Sequence, residues 1–267
     1  MKDKINIYVI HYTKLTDRLK YFKKLTTSNL YITFVTENSI VSDIQGQDII
    51  NNEVNDIFKF VKAVHLGHMS NLIRSRILAN LFLYALSIVI SLEVRIFGEK
   101  KFLNSRFTGS KIFDHKLREI NMMHSKALST AASNNDICII LEDDSIFDSD
   151  TFKDNIDSLK KFMEINSNSI IFFTKPAAKI STVIEDLFQF RKDVIRIIPP
   201  MSKGAGAYML NKELALDLSQ YISSSDLALP IDLLISYWAQ EKNIRTYWKK
   251  YPFVTEGSGY IYKSSLR

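Results

Sequence analysis

Short unbroken runs rich in isoleucine and valine alternate along this chain with longer stretches whose apolar residues recur every three or four positions. Ile5–Ile10 predicts a first strand. The polar turn His11-Tyr-Thr-Lys-Leu-Thr-Asp-Arg18 leads from it into a helix carrying Leu19, Phe22 and Leu25, with Thr16 or Asp17 as the cap. Tyr31–Thr36 predicts a second strand, parallel to the first across that helix, and Glu37 closes it. Ser39–Val64 has no strong period. Asp114–Ser133 is the clearest helix, with Leu117, Ile120, His124, Ala127 or Leu128, and Ala131 on one face. Asn134-Asn135 ends it and launches Ile137–Leu141, a continuous apolar run of the kind buried on both faces of an α/β sheet.

Further on, Asp148-Ser-Asp150 caps a helix reaching about Glu164, and Ser169–Thr174 is another buried strand, broken by Lys175-Pro176. Val194–Ile198 predicts a strand stopped by Pro199-Pro200. Gly204-Ala-Gly-Ala-Tyr-Met-Leu210 enters a strand through small residues that permit close approach of a ligand or a neighbouring backbone. Asn211 caps a helix from Lys212 to Tyr221, and Pro230-Ile-Asp232 opens another with Asp232 in its first turn. Tyr247–Arg267 is aromatic and basic with glycine and serine. Alternating strands and helices, without repeats or a low-complexity linker, predict a single α/β domain.

One segment departs from this rhythm. Ile77–Leu92 is a 16-residue apolar run interrupted only by Asn80, Ser87 and Ser91, with Arg74 and Arg76 before it and Glu93, Arg95, Lys100 and Lys101 after it. A bilayer-spanning helix needs roughly 20 residues, so the run is short for one. Three readings stand: a core helix, which is favoured, a helix lying in a membrane interface, or a dimer-forming helix.

Composition narrows the field little. The 267 residues are 46% hydrophobic and 24% charged, ordinary for a globular protein with a sizeable core. The net charge of +6 comes from 35 basic and 29 acidic residues, with no basic stripe interleaved with aromatics, which argues against nucleic acid as the partner. A nucleotide diphosphate or an anionic membrane surface accounts for it equally well. Cys138, the single cysteine, lies inside a predicted strand and cannot form an internal disulfide. The start Met1-Lys-Asp-Lys4 runs straight into a strand with no secretory signal, so a cytoplasmic protein is expected.

The chemistry concentrates where Ile137–Leu141 ends in Glu142, Asp143 and Asp144. Open α/β sheets bind ligands at the carboxyl ends of their strands. Hard divalent cations take oxygen ligands, and a diphosphate bound there needs its charge neutralised. A buried strand ending in three carboxylates therefore reads as a metal–diphosphate site, against the plainer reading of a solvated acidic turn. The turn with His11, Thr13 and Arg18 is of the type that holds phosphates, although Arg18 also reads as a surface residue. Glu37, at a second strand's end, is placed to accept from a ribose hydroxyl or simply to face solvent. His124 on its apolar stripe reads as a satisfied core histidine or as a substrate contact.

Four segments together resemble glycosyltransferase family 25, the lipooligosaccharide-biosynthesis transferases. His11-Tyr-Thr-Lys-Leu-Thr-Asp-Arg18 looks like that family's opening turn, and Arg118-Glu-Ile-Asn-Met-Met-His-Ser125 is similar to its Gly-Glu-Ile-Gly-Cys-x-x-Ser-His helix start. Ile139-Ile-Leu-Glu-Asp-Asp144 matches its Glu-Asp-Asp strand end, and Gly206-Ala-Tyr-Met-Leu followed by Pro230-Ile-Asp232 resembles its later strand and helix. Here Arg118 and Asn121 replace the glycines that flank Glu-Ile, and the order is His124-Ser125.

The resemblance implies a GT-A-like nucleotide-binding fold: a mostly parallel sheet flanked by helices, with a mostly helical insertion around 50–112. Residues 1–150 would form the donor half and 151–267 the acceptor half. It implies transfer of galactose or another hexose from a UDP-sugar to a lipooligosaccharide or other surface glycan, with inversion, on the cytoplasmic face of the inner membrane. A homodimer is a further expectation. Asp144, with Glu142, would hold Mn²⁺ or Mg²⁺ on the donor diphosphate. His11, Thr13, Arg18, Glu37, Glu119, His124, Glu142 and Asp143 would line the donor. Asp232 would be the base that deprotonates the acceptor, with Glu256 second. Two rivals are another single-metal phosphohydrolase or nucleotidyltransferase and a non-catalytic, membrane-associated envelope assembly protein.

Overall fold

The computed structural model describes residues 4–25, 30–39, 115–174, 194–197, 204–225 and 230–257, with helical positions 78, 81, 82, 84, 85, 88, 89 and 92. Most of the expected helical insertion around 50–112, the breaks at Lys175-Pro176 and Pro199-Pro200, and the tail beyond 257 lie outside the described residues.

The apolar runs become one seven-stranded sheet. Its strands are β1 (Ile5–His11), β2 (Leu30–Thr36), β3 (Ile137–Glu142), β5 (Ser169–Phe172), β6 (Val194–Ile197), β7 (Ala207–Asn211) and β8 (Arg245–Lys249), in the order β2-β1-β3-β7-β5-β8-β6. Its β1–β2, β1–β3 and β5–β8 pairings are parallel, and its β3–β7, β5–β7 and β6–β8 pairings are antiparallel. Five of the seven strands thus point one way, and only β7 and β6 run against them. The expected α/β class with a mostly parallel sheet is what the chain forms. Sequence reading alone missed β8, because Arg245–Lys249 mixes charged, polar and aromatic residues and buries mainly Thr246, Trp248 and the stem of Lys249.

Helices α1 (Thr16–Leu25), α2 (His115–Asn134), α3 (Ser149–Ile165), α4 (Lys212–Ser224) and α5 (Ile231–Glu241) flank the sheet. The strand and helix expectations hold to within a few residues at each boundary. Asp148 caps α3 by accepting from the Thr151 amide at 2.9 Å, and Asn211 caps α4 through the Leu214 amide at 2.9 Å. α2 packs against α4, β3 and β1, burying Met123, Ala127, Leu128, Ala131 and Ala132. Small residues bring α2 and α4 close enough for Ser125 Oγ to meet Ser219 Oγ at 2.9 Å and Ser223 Oγ at 2.7 Å.

Of the run Ile77–Leu92, favoured as a core helix, eight positions are described and the others lie outside the described residues. Every described position of that helix is exposed, from 40% at Ile88 to 61% at Leu81. Periodicity reports that an apolar face exists and not what covers it.

Two devices fix the loop after β3. A second ribbon pairs β4 (Ser145–Ile146) with β9 (Thr255–Glu256), and Gly257 N donates to Asp144 O at 2.7 Å. Beneath it, the Phe147 and Phe152 rings lie 4.3 Å apart, and Phe253 stacks on Phe173 at 5.0 Å. Phe152 also meets Phe253 edge-on at 5.6 Å. The Tyr21 hydroxyl donates to the Phe147 carbonyl and accepts from its N–H, both at 2.8 Å, tying α1 to the same loop. Phe152 is fully buried at the centre of this aromatic group. Phe152→Ala is expected to cost about 3–5 kcal/mol of stability, the range for emptying an aromatic core site. Urea unfolding measures it, and a loss below about 1 kcal/mol would show that the cluster does not hold the loop.

Candidate active site

β1, β2, β3 and β5 run in one direction, so their carboxyl ends share one edge of the sheet. Antiparallel β7 begins at that edge, because Ala207 pairs with Leu141 and the Gly206 carbonyl accepts from the Glu142 amide at 2.8 Å. The edge gathers His11, Glu37, the triplet Glu142–Asp144, the Gly204–Gly206 entry to β7, Thr174 and Glu256. This is the place where α/β sheets hold ligands.

The three carboxylates of the triplet are used differently. Asp143 is buried and turned inward. One of its oxygens receives Arg18, and the other accepts from the Tyr12 amide at 3.2 Å and meets His11 Nδ1 at 2.9 Å. Arg18 and His11 were expected to meet the donor, but both are buried here and face Asp143. A charged pair removed from water requires such mutual satisfaction. Their effect is to shape the loop between β1 and α1.

Two further carboxylates hold that loop. Glu37 accepts from the Thr13 amide at 3.1 Å and from the Thr13 hydroxyl, and Glu119 accepts from the Tyr12 hydroxyl at 3.1 Å. Burial and then the Glu119 carboxylate push the Tyr12 phenol far above its ordinary 10, so the phenol stays protonated as the donor. Tyr12 was not singled out from sequence, although it lies inside the turn that was.

Glu142 and Asp144 remain at the edge. The Glu142 side chain keeps 34% exposure, while Asp144 is buried. Burial, followed by the charges of Asp144, Asp143 and Asp232, raises the Glu142 carboxyl from 4.5 to about 8, against a lowering pull from Arg18. Burial and then Glu142, Asp144 and Asp232 raise Glu256 to about 7. Ribbon β4–β9 carries Glu256 to the triplet, and Gly206 makes room for it. A Cβ on Gly206 would lie 3.1 Å from Glu256 Oε1 and 3.3 Å from Thr174 Cγ2. The close approach expected of the small residues is thus to the Glu256 side chain.

Asp232 opens α5 and accepts from the Leu233 amide at 3.0 Å and from the Gly204 amide at 3.3 Å. Gly204 has φ 103°, a conformation that side chains with a Cβ rarely adopt, and this turn aims its N–H at Asp232.

His124 is a core histidine in this structure. It is fully buried, and burial lowers it to about 3, so it is neutral. Its Nδ1 lies 2.9 Å from the Tyr208 hydroxyl, and its Nε2 lies 3.5 Å from Glu142 Oε1. At that distance Nε2 makes no hydrogen bond to Glu142 among the described residues. Sequence reasoning did not pick out Tyr208. Its signal was the small-residue strand Gly206-Ala-Tyr, whose partner only the sheet pairing reveals.

Glu142, Asp144, Asp232 and Glu256 thus crowd negative charge at one edge, which suits a cation in charge. Among the described residues no three acidic, histidine or cysteine side chains converge as a metal-holding group. In ligand number the protein side chains do not suffice. Mg²⁺ sites commonly use one or two carboxylates and complete their shell with phosphate oxygens and water.

No family model matches the chain, and no curated protein matches it. Among solved structures, the crystal structure of apo-UDP-glucose pyrophosphorylase aligns over 93% of this chain and 91% of that one, at 11% identity and a TM-score of 0.35. At that score the likeness carries no argument about the site.

The raised carboxyls have a consequence for stability. A group whose folded pKa exceeds its unfolded value binds more protons when folded, so stability falls as pH rises between the two values. For Glu142 that window runs from 4.5 to about 8, and for Glu256 from 4.5 to about 7. The metal-free protein is therefore expected to melt at lower temperature at pH 8 than at pH 5.5, and Glu142→Gln should flatten the slope. Melting curves across that range check it, and a wild-type slope kept by the variant would remove Glu142 from the crowded set.

Proposed function

We propose that this protein is a sugar-nucleotide-dependent glycosyltransferase of the family 25 type, moving a hexose from a UDP-sugar to a hydroxyl of a glycan or glycolipid acceptor. The observation that carries the reading is the convergence of Glu142, Asp144, Asp232 and Glu256 at the carboxyl ends of the parallel strands, where their charges raise one another's neighbours. The residue matches with the family support it, and so does the internally braced β1–α1 loop beside the triplet.

In this reading residues 1–150 bind the donor and the later strands build the acceptor side. Tyr12 and Thr13 lie on the loop that would face the nucleoside, held by Glu37 from the end of β2 and by Glu119 from α2. Asp143, Arg18 and His11 hold that loop in shape. Asp144 and Glu142 would hold Mn²⁺ or Mg²⁺ together with the donor diphosphate. The ion's chemistry is neutralisation of the departing UDP. Neutral His124, bonded to Tyr208, packs beside Glu142.

Two carboxylates compete for the role of base. Asp232 accepts two backbone amides, which fix its position. Glu256 has the acidity best matched to taking a proton near neutrality. We assign the base to Glu256 and substrate positioning to Asp232. The acceptor hydroxyl oxygen forms its bond to the anomeric carbon from the face opposite the leaving group. Its proton passes to the Glu256 carboxylate, and the anomeric C–O bond breaks with its electron pair leaving on UDP.

Calorimetric titration of UDP with Mn²⁺, and again with EDTA, tests the donor site. Wild-type protein is expected to bind only with the ion, and Asp144→Ala should abolish that binding without unfolding. Tight ion-dependent binding by the variant would refute the role of Asp144. Turnover tests the base: Glu256→Gln should lower kcat by about 10²–10⁴-fold with UDP affinity intact. Normal turnover in that variant, with loss in Asp232→Asn, would exchange the two roles. Release of hexose 1-phosphate without transfer would instead indicate a phosphohydrolase.

A further inference from the structure

The helical positions Leu78, Leu81, Phe82, Ala85, Ile88, Val89 and Leu92 recur at three- and four-residue spacing, and each is exposed. Leu78 is 58% exposed, Leu81 61%, Phe82 53%, Val89 53% and Leu92 51%. Tyr84 flanks the stripe at 43%. Exposed apolar side chains are ordinary when scattered, but a continuous stripe of large ones marks a surface that meets something.

We infer that this face docks on an anionic lipid bilayer, with the helix lying in the interface. Three observations select lipid. The first is length: the apolar run Ile77–Leu92 has 16 residues, which as a helix would span about 24 Å at 1.5 Å per residue, short of a hydrocarbon core of about 30 Å. Among the described residues no helix is long and apolar enough to cross a membrane. The second is charge. In sequence, Arg74 and Arg76 precede the stripe, while Arg95, Lys100 and Lys101 outnumber Glu93 and Glu99 after it, so both ends carry net positive charge. A second copy laid face to face would bring like charges together in either orientation, whereas anionic headgroups neutralise both ends. The third is the aromatic pair Phe82 and Tyr84, one ring in the stripe and one phenol at its margin, which suits the boundary between acyl chains and headgroups.

The surface is independent of the proposed transfer reaction, and the UDP titration separates the two. Sedimentation with vesicles tests it, using phosphatidylcholine alone and equal parts phosphatidylcholine and phosphatidylglycerol. The wild-type protein is expected to pellet with the anionic vesicles, less so as salt rises, and weakly with the neutral ones. Leu81→Glu/Phe82→Glu should reduce partitioning about tenfold or more, with the circular dichroism spectrum unchanged. Arg74→Glu/Arg76→Glu provides a second reading that leaves the stripe intact, and it should weaken binding to anionic vesicles alone. Wild-type protein that stays in the supernatant with both vesicles would overturn the inference. So would equal pelleting by the Leu81→Glu/Phe82→Glu protein. A dimer seen by light scattering that these substitutions split, without vesicle binding, would assign the face to a second copy instead.

Discussion

The site depends on Asp143. Its carboxylate is buried between Arg18, His11 and the Tyr12 amide, so one side chain joins the end of β3 to the loop after β1 and to the first turn of α1. A buried carboxylate without these partners would be too costly to keep ionised, and the arginine without the carboxylate would be equally exposed to that cost. Each therefore requires the other. β3 ends at Glu142, and Asp143 and Asp144 form the turn that follows it, so the turn and not strand alternation decides that Asp143 meets Arg18 and His11.

The remaining architecture brings charge to those two carboxylates in spite of repulsion. Glu256 arrives on ribbon β4–β9, held from below by Phe147, Phe152, Phe173 and Phe253, and Gly206 yields the space of one methyl group. Asp232 is held by backbone amides at the start of α5. Apolar packing and backbone hydrogen bonds thus stabilise an arrangement that electrostatics alone opposes. Such stored unfavourable charge is characteristic of sites awaiting a cationic or proton-donating ligand. Burial and then the neighbouring carboxylates raise the pKa values of Glu142 and Glu256.

His124 shows how the core reaches the edge of the sheet. Its ring is stacked at 13° to Tyr208 and is neutral because it is buried. Its second nitrogen lies 3.5 Å from Glu142 without a hydrogen bond.

Much of this was legible in the residues alone. The β-branched run Ile137–Leu141, the three- and four-residue periodicity of α2, and the caps Asp148 and Asn211 are local signals, because strand burial, helix amphipathicity and capping each involve neighbours in sequence. The same locality made the Glu142–Asp144 triplet recognisable as the end of a buried strand. Tertiary structure alone decided which carboxylate turned inward and that Arg18 and His11 face Asp143. It also paired Tyr208 with His124, placed β8 in the sheet, and brought Glu256 beside Glu142 from more than a hundred residues away. Those outcomes depend on strand order and on which surfaces remain uncovered. The exposed stripe at 78–92 is the clearest case: its apolar spacing is written in the sequence, but whether a stripe is buried is a property of everything packed around it.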